Sequence, residues 1–189
     1  MTRRVFCSVI AVLLSANIAV GQNLEAQLLE TPIEQLVQEA KDRGDAKRGG
    51  IAFFQVYLSC SKCHSLGDKE NPLGPDLTQL GPKASNQHLV ESVLKPSKEI
   101  KKGFEAVTVF TVDGKQFTGL IQSQKDGELV LNDVSRPGVE LRFPENDVDE
   151  VVVSKASIMP KGQVNQLTGK QQFLDLVKYL MEVRDGGKE

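Results

Sequence analysis

The sequence predicts a mostly α-helical domain interrupted by a small antiparallel β-barrel or sheet. Two observations predict it. Apolar residues recur at helical spacing in four segments with recognisable ends, three before the middle of the chain and one after it. From Phe104 the spacing changes to alternation, in short runs separated by turn signals, until about residue 155. The 189 residues, 40% hydrophobic and 25% charged, suit one globular domain or one domain with a substantial insertion. Aromatics make up 5% and tryptophan is absent, so Leu, Val and Ile must supply most of the core.

The chain opens "MTRRVFCSVIAVLLSANIAVGQ". Arg3 and Arg4 precede an apolar run, Val5 to Leu14, which is short for a membrane span, and Ala19 and Gly21 place small residues before a cleavage after Gly21. Residues 1–21 are therefore expected to be a cleaved signal peptide. That implies a periplasmic or otherwise exported protein with no transmembrane segment after cleavage. Cleavage would remove Arg3 and Arg4 but none of the 25 acids, leaving a net charge of about −4. That balance speaks against a nucleic-acid binder.

"TPIEQLVQEAKDRG" predicts a helix with Pro32 at its first turn and Gly44 at its end. In "GDAKRGGIAFFQVYL", Asp45 is the expected N-cap of a helix running towards residue 60. Its Gly49 and Gly50 would permit a close crossing with the C-terminal helix. "SNQHLVESVLKPS" predicts a short helix stopped by Pro96. Near the C-terminus Thr168 and Gln171 have capping-box spacing, Phe173, Leu174, Val177, Leu180 and Met181 follow at helical intervals, and Gly186 closes the segment.

The second of these helices leads into "CSKCH", residues 60–64. C-x-x-C-H is the attachment sequence of c-type haem. Each thiol adds across a vinyl C=C bond, sulfur to one carbon and hydrogen to the other, so no oxidant is consumed. A two-residue spacer lets Cys60 and Cys63 on one turn reach the two vinyl groups, and His64 then follows as an axial ligand to the iron. A redox C-x-x-C would require a strand before it in a βαβ frame, whereas the preceding segment reads as helix. A zinc site lacks a second pair of ligands: once Cys7 is removed no further cysteine remains, and His88 is the sole other histidine.

Residues 103–155 hold four or five short alternating runs, separated by Asp113-Gly114, Asp126-Gly127, Pro137-Gly138 and Glu145-Asn146. The expected form is a small SH3-like or Sm-like barrel, or a flat antiparallel sheet. Its ten acids and five bases oppose a phosphate backbone, so nucleic acid is not an expected partner.

The segments "RGGIAFFQVYLSCSKCHSL", "LGPDLTQLG", "NQHLVESVLKPSKEIKKGFEAVTVFTVDGKQFTGLI" and "SIMPKGQVNQLTGKQQFLDLVKYL" together resemble the planctomycete-type (Pirellula/Verrucomicrobium) haem-binding domain, related to class I cytochromes c. The resemblance covers about residues 46–184. It implies a class I-like cytochrome c fold in two parts, residues 22–102 and 156–189, around the inserted residues 103–155. It also implies that the Pro75 carbonyl accepts from His64 Nδ1–H, that Leu77 packs on the haem, and that Met159, in the loop before the last helix, is the second axial ligand of the iron. Met181, within the helical pattern, and His88, on a short helix, are the other candidates. Class I cytochromes usually carry an aromatic four residues before the first cysteine; here Val56 stands there and Phe53 lies seven before.

The resulting expectation is an exported monohaem c-type cytochrome, an electron carrier rather than an enzyme, holding one covalent haem c and exchanging single electrons with redox partner proteins. Lys62, Lys69 and Lys83 are candidates to steer an acidic partner. The alternatives are a haem-based sensor or peroxidase-like enzyme with a labile Met159, and a docking subunit of a larger exported dehydrogenase.

Overall fold

The computed structural model describes residues 23–67, 73–81 and 84–186. The expected signal peptide, residues 1–21, lies outside the described residues, as do Lys69 and Lys83. Among the described residues no helix is long and apolar enough to cross a membrane.

Helix α1 (Leu24–Glu30) is an element that periodicity alone did not suggest. Asn23 caps it by accepting the Ala26 N–H at 2.9 Å, and Leu28 is fully buried. Helix α2 (Ile33–Arg43) starts directly after Pro32 and stops at Gly44. Helix α3 (Ala46–Phe53) is capped by Asp45, whose carboxylate accepts the Arg48 N–H at 2.9 Å. A single turn, α4 (Cys60–Cys63), is followed by a 3-10 turn at Leu77–Gln79 and by α5 (Asn86–Leu94), capped by Ser85 and ended before Pro96. After the strands and a 3-10 turn at Gln163–Gln166 comes α6 (Lys170–Arg184).

The start of α6 differs from the expected capping box. Its N-cap is Gly169, and the Thr168 N–H donates to Gln172 Oε1 at 2.8 Å. Gln171 is occupied elsewhere, donating to the Arg43 carbonyl and to Asp175 Oδ1, both at 2.9 Å. It joins α6 to the end of α2 instead of capping its own helix.

Helices α3 and α6 cross with glycine at the contact. A Cβ on Gly49 would lie 2.0 Å from the Asp175 carbonyl oxygen, so only glycine lets the backbones approach this closely. Beside this crossing Phe53 is buried with its ring centroid 5.5 Å from that of Tyr179, while Phe54 and Tyr57 are exposed. Arg48 clamps the same junction through Nε and Nη2, at 2.7 and 2.9 Å from the buried Asp175 carboxylate, which also accepts the Asp45 N–H.

The strands are β1 (Ala106–Thr111), β2 (Gln116–Lys125), β3 (Glu128–Asp133), β4 (Glu140–Pro144) and β5 (Val148–Val153). They form one antiparallel sheet in the order β4-β3-β2-β1-β5. The β2–β3 hairpin closes through Asp126-Gly127 with φ of 55° and 75°, the two left-handed residues that a tight, correctly twisted two-residue turn requires. The Glu145-Asn146 signal opens a 3-10 turn, Glu145–Asp147, which carries the chain from β4 across to β5 on the far side of β1.

This sheet overturns the expected mostly α, class I-like cytochrome c fold with an inserted SH3-like or Sm-like barrel. Among the described residues 41% are helical and 21% strand, an α+β architecture of six helices and a five-stranded antiparallel sheet. The sheet is open: β4 and β5 stand at its opposite edges. It buries a core of its own, Val107, Val109, Leu129, Leu131 and Phe143. Alternation correctly implied strands, but it does not say whether the outer two meet; that depends on accumulated twist and register across all five.

Candidate functional site

The C-S-K-C-H segment is a tight turn entered through a left-handed residue. Ser59 has φ 57°, and its hydroxyl donates to the Val56 carbonyl at 2.9 Å. The α4 turn closes when the His64 N–H donates to the Cys60 carbonyl at 3.0 Å. Cys60 and Cys63 are free thiols, both partly buried. Cys60 packs against the helical core, whereas Cys63 packs against a smaller cluster built on Leu73, Ala106 and Leu120.

His64 is held by the loop that contains Pro75. Its Nδ1 lies 3.0 Å from the Pro75 carbonyl oxygen. A carbonyl can only accept, so Nδ1 carries the proton and the lone pair lies on Nε2. Burial keeps the imidazole pKa below its usual value, with the Pro75 bond working in the opposite direction, so the ring is neutral at physiological pH. Gly74 allows this approach: a Cβ there would lie 2.6 Å from the Cys63 carbonyl oxygen and 3.0 Å from His64 Nδ1.

Further bonds fasten the same two segments. The Leu77 N–H donates to the Ser65 carbonyl at 3.0 Å, and the Gly67 N–H to Asp76 Oδ2 at 3.0 Å. Asp76 Oδ1 accepts from Thr78 N–H at 2.8 Å and from its hydroxyl at 2.7 Å. These bonds, led by the Thr78 hydroxyl, hold the Asp76 carboxyl below its usual range. Sequence reading missed Asp76, although its signal is local: Asp-Leu-Thr is a cap before a short turn. Leu77 is buried in the helical core.

Met159 packs, partly buried, against that same core. Its N–H donates to Ser157 Oγ at 3.1 Å, and the Ser157 N–H donates to Ser97 Oγ at 3.0 Å. Beyond it, Gln163 Nε2 donates to the Leu58 carbonyl, two residues before Cys60. A bond between residues 105 apart thus ties the methionine loop to the entrance of the cysteine turn. Met181 is buried within α6, and His88 sits on α5 with Nε2 3.4 Å from Ser92 Oγ and Nδ1 3.7 Å from Glu99.

Neither a family model nor a curated protein matches this chain. The chemistry therefore has to be read from the side chains. Burial pushes the Cys60 thiol up to about 11, and also raises Cys63 despite the nearby Lys62. Disulfide-exchange cysteines have depressed pKa values, because the thiolate is the nucleophile. These two are protonated, partly buried thiols, poorly suited to that chemistry. Among the described residues no group of three or more His, Cys, Asp or Glu side chains is placed to hold a metal ion. The donor set is two free thiols on one turn and an adjacent neutral imidazole with a committed tautomer.

Proposed function

We propose that this chain is an exported monohaem c-type cytochrome that passes single electrons between redox proteins. The observation that carries this reading is the His64 Nδ1–H bond to the Pro75 carbonyl, because it leaves the Nε2 lone pair free to bind iron on the residue that follows two free thiols. Cys60 and Cys63 fit covalent attachment: neither is spent in a disulfide, and addition of a thiol S–H to a vinyl group retains every atom and needs no oxidant. His64 Nε2 would be one axial donor to the iron. Leu77 would contribute an apolar contact, and the Met159 thioether would be the other axial donor. A bound haem supplies a one-electron ferric/ferrous couple, with a thioether ligand favouring the ferrous state relative to a second imidazole.

The chain's own contribution is position. Gly74, Pro75 and Asp76 hold the His64 ring plane, and Ser97, Ser157 and Gln163 hold the Met159 loop. The acid excess of residues 103–155 opposes a phosphate backbone, and a one-electron carrier would exchange its electron with redox proteins. Residues 1–21 would direct export, haem attachment outside the cytoplasm, and a periplasmic location.

The test is spectroscopy of protein matured in a host that exports and attaches haem. The oxidised wild type is expected to show a charge-transfer band from methionine sulfur to ferric iron, lost in Met159→Ala. A spectrum unchanged by that substitution rejects Met159 as the ligand. Carbon monoxide binding by the reduced wild type at neutral pH would favour the sensor or peroxidase-like reading instead.

A further inference from the structure

We infer that the β-sheet positions the Met159 loop, through a buried cluster in which Leu120 of β2 and Ile158 meet the haem-attachment turn; this rests on the reading of Met159 as an iron ligand. Leu73, Ala106 and Leu120 are each at most 3% exposed, and Cys63 and Ile158 pack on them. The contributors come from four places in the chain. Cys63 belongs to the attachment turn, Leu73 to the loop that holds His64, Ala106 and Leu120 to the sheet, and Ile158 directly precedes Met159. Ala106 and Leu120 are cross-strand partners in the β1–β2 register, so they present one face to this cluster.

The backbone follows the same route. Chain leaving β5 makes one more bond to β1, Ser154 N–H to the Ala106 carbonyl at 2.8 Å. Ser154 Oγ accepts the Ala156 N–H at 3.0 Å, Ser97 Oγ accepts from Ser157, and Ser157 Oγ accepts from Met159. Between the last residue of β5 and Met159 the backbone N–H groups of Ser154, Ala156, Ser157 and Met159 are all bonded. A packed cluster on one side and a hydrogen-bonded backbone on the other leave the loop little freedom to move independently of the sheet. Residues 103–155 therefore do more than interrupt the helical part: the end of their sheet is the seat on which the methionine loop rests.

The experiment compares haem-loaded wild type with Leu120→Ala and with Ser97→Ala. Leu120 packs in the cluster but supplies no thioether, imidazole or axial donor, and Ser97 is exposed, so Ser97→Ala leaves the core intact. Three quantities are read: haem retained by the polypeptide after acid extraction, the methionine-to-ferric charge-transfer band as pH is raised, and carbon monoxide binding to the reduced protein. Haem retention is expected to be unchanged in both variants. In Leu120→Ala the balance between Met-bound and Met-free ferric protein is expected to shift about tenfold towards Met-free, because a buried cavity weakens the seat. In Ser97→Ala the shift is about two- to tenfold. A folded, haem-loaded Leu120→Ala with the wild-type band and carbon monoxide affinity overturns the inference. If Leu120→Ala does not fold, Leu120→Val replaces it, and wild-type behaviour in that variant and in Ser97→Ala overturns the inference equally. Failure of the wild type to retain any haem is a different result, which overturns the function on which the inference stands.

Discussion

His64 donates through Nδ1 to the Pro75 carbonyl oxygen at 3.0 Å, and Gly74 is the residue that lets the two segments meet. Gly74→Ala is expected to push the loop off Cys63 and His64, since the new Cβ would face backbone that cannot swing aside. The expected loss is about 2 kcal/mol of stability. In the haem-loaded protein the reduction potential should rise, because an imidazole without its acceptor is a weaker donor to ferric iron. Thermal unfolding and a redox titration check both, and an unaltered potential would remove Pro75 from the site.

Asp76 fastens the same loop from the other side. Asp76→Ala is expected to cost about 1 kcal/mol, the loss of a cap, seen as a fall in Tm of about 3 °C. Its carboxyl pKa is depressed below the ordinary value of 3.8 in the folded chain. The stabilisation is therefore complete above about pH 4 and disappears as pH falls through the folded value. The difference in Tm between wild type and Asp76→Ala should narrow below pH 4; a difference constant from pH 7 to pH 2 would contradict the role of the carboxylate.

At the α3–α6 crossing two substitutions should act strongly and for different reasons. Gly49→Ala drives a Cβ into the Asp175 carbonyl and is expected to cost about 3 kcal/mol by overpacking. Asp175→Ala strands Arg48 and the Asp45 N–H and is expected to cost about 2–3 kcal/mol, less than a fully buried pair because Arg48 is half exposed. Burial alone would raise the Asp175 pKa, but bonds from Arg48, Gln171 and the Asp45 N–H outweigh it and hold it below 3.8. Its contribution is present above about pH 4 and is lost on acidification. Urea denaturation at pH 7 and pH 3 measures both substitutions: the Gly49→Ala deficit should persist at pH 3 and the Asp175→Ala deficit should shrink.

The elements legible in the sequence were those with local signals. Asp45, Ser85 and Pro32 mark the starts of α3, α5 and α2 within one turn of chain, and Asp126-Gly127 marks a hairpin by its own backbone requirement. Gly49 announced a close helix crossing, and Cys60, Cys63 and His64 stood out because their spacing matches a haem-attachment sequence and no packing period. What could not be read was non-local. Whether β4 and β5 meet depends on the whole sheet, so alternation could not decide between a barrel and a flat sheet; they do not meet, and the strands form an open layer with its own core. Gln171 looked like a cap because its spacing from Thr168 fits, but the end of α2 offers it the Arg43 carbonyl instead. Asp76 was overlooked because its partners, Gly67 and Thr78, matter only once the loop has folded back on His64.

The most direct measurement is the intact mass of the protein after export in a host that attaches haem, followed by acid extraction of loose haem. The wild type should carry the mass of one haem and keep it through extraction. The Cys60→Ala, Cys63→Ala double variant should emerge as bare polypeptide. A wild type that leaves the host with two unmodified thiols, or a double variant that retains haem as firmly as the wild type, would contradict covalent attachment at Cys60 and Cys63.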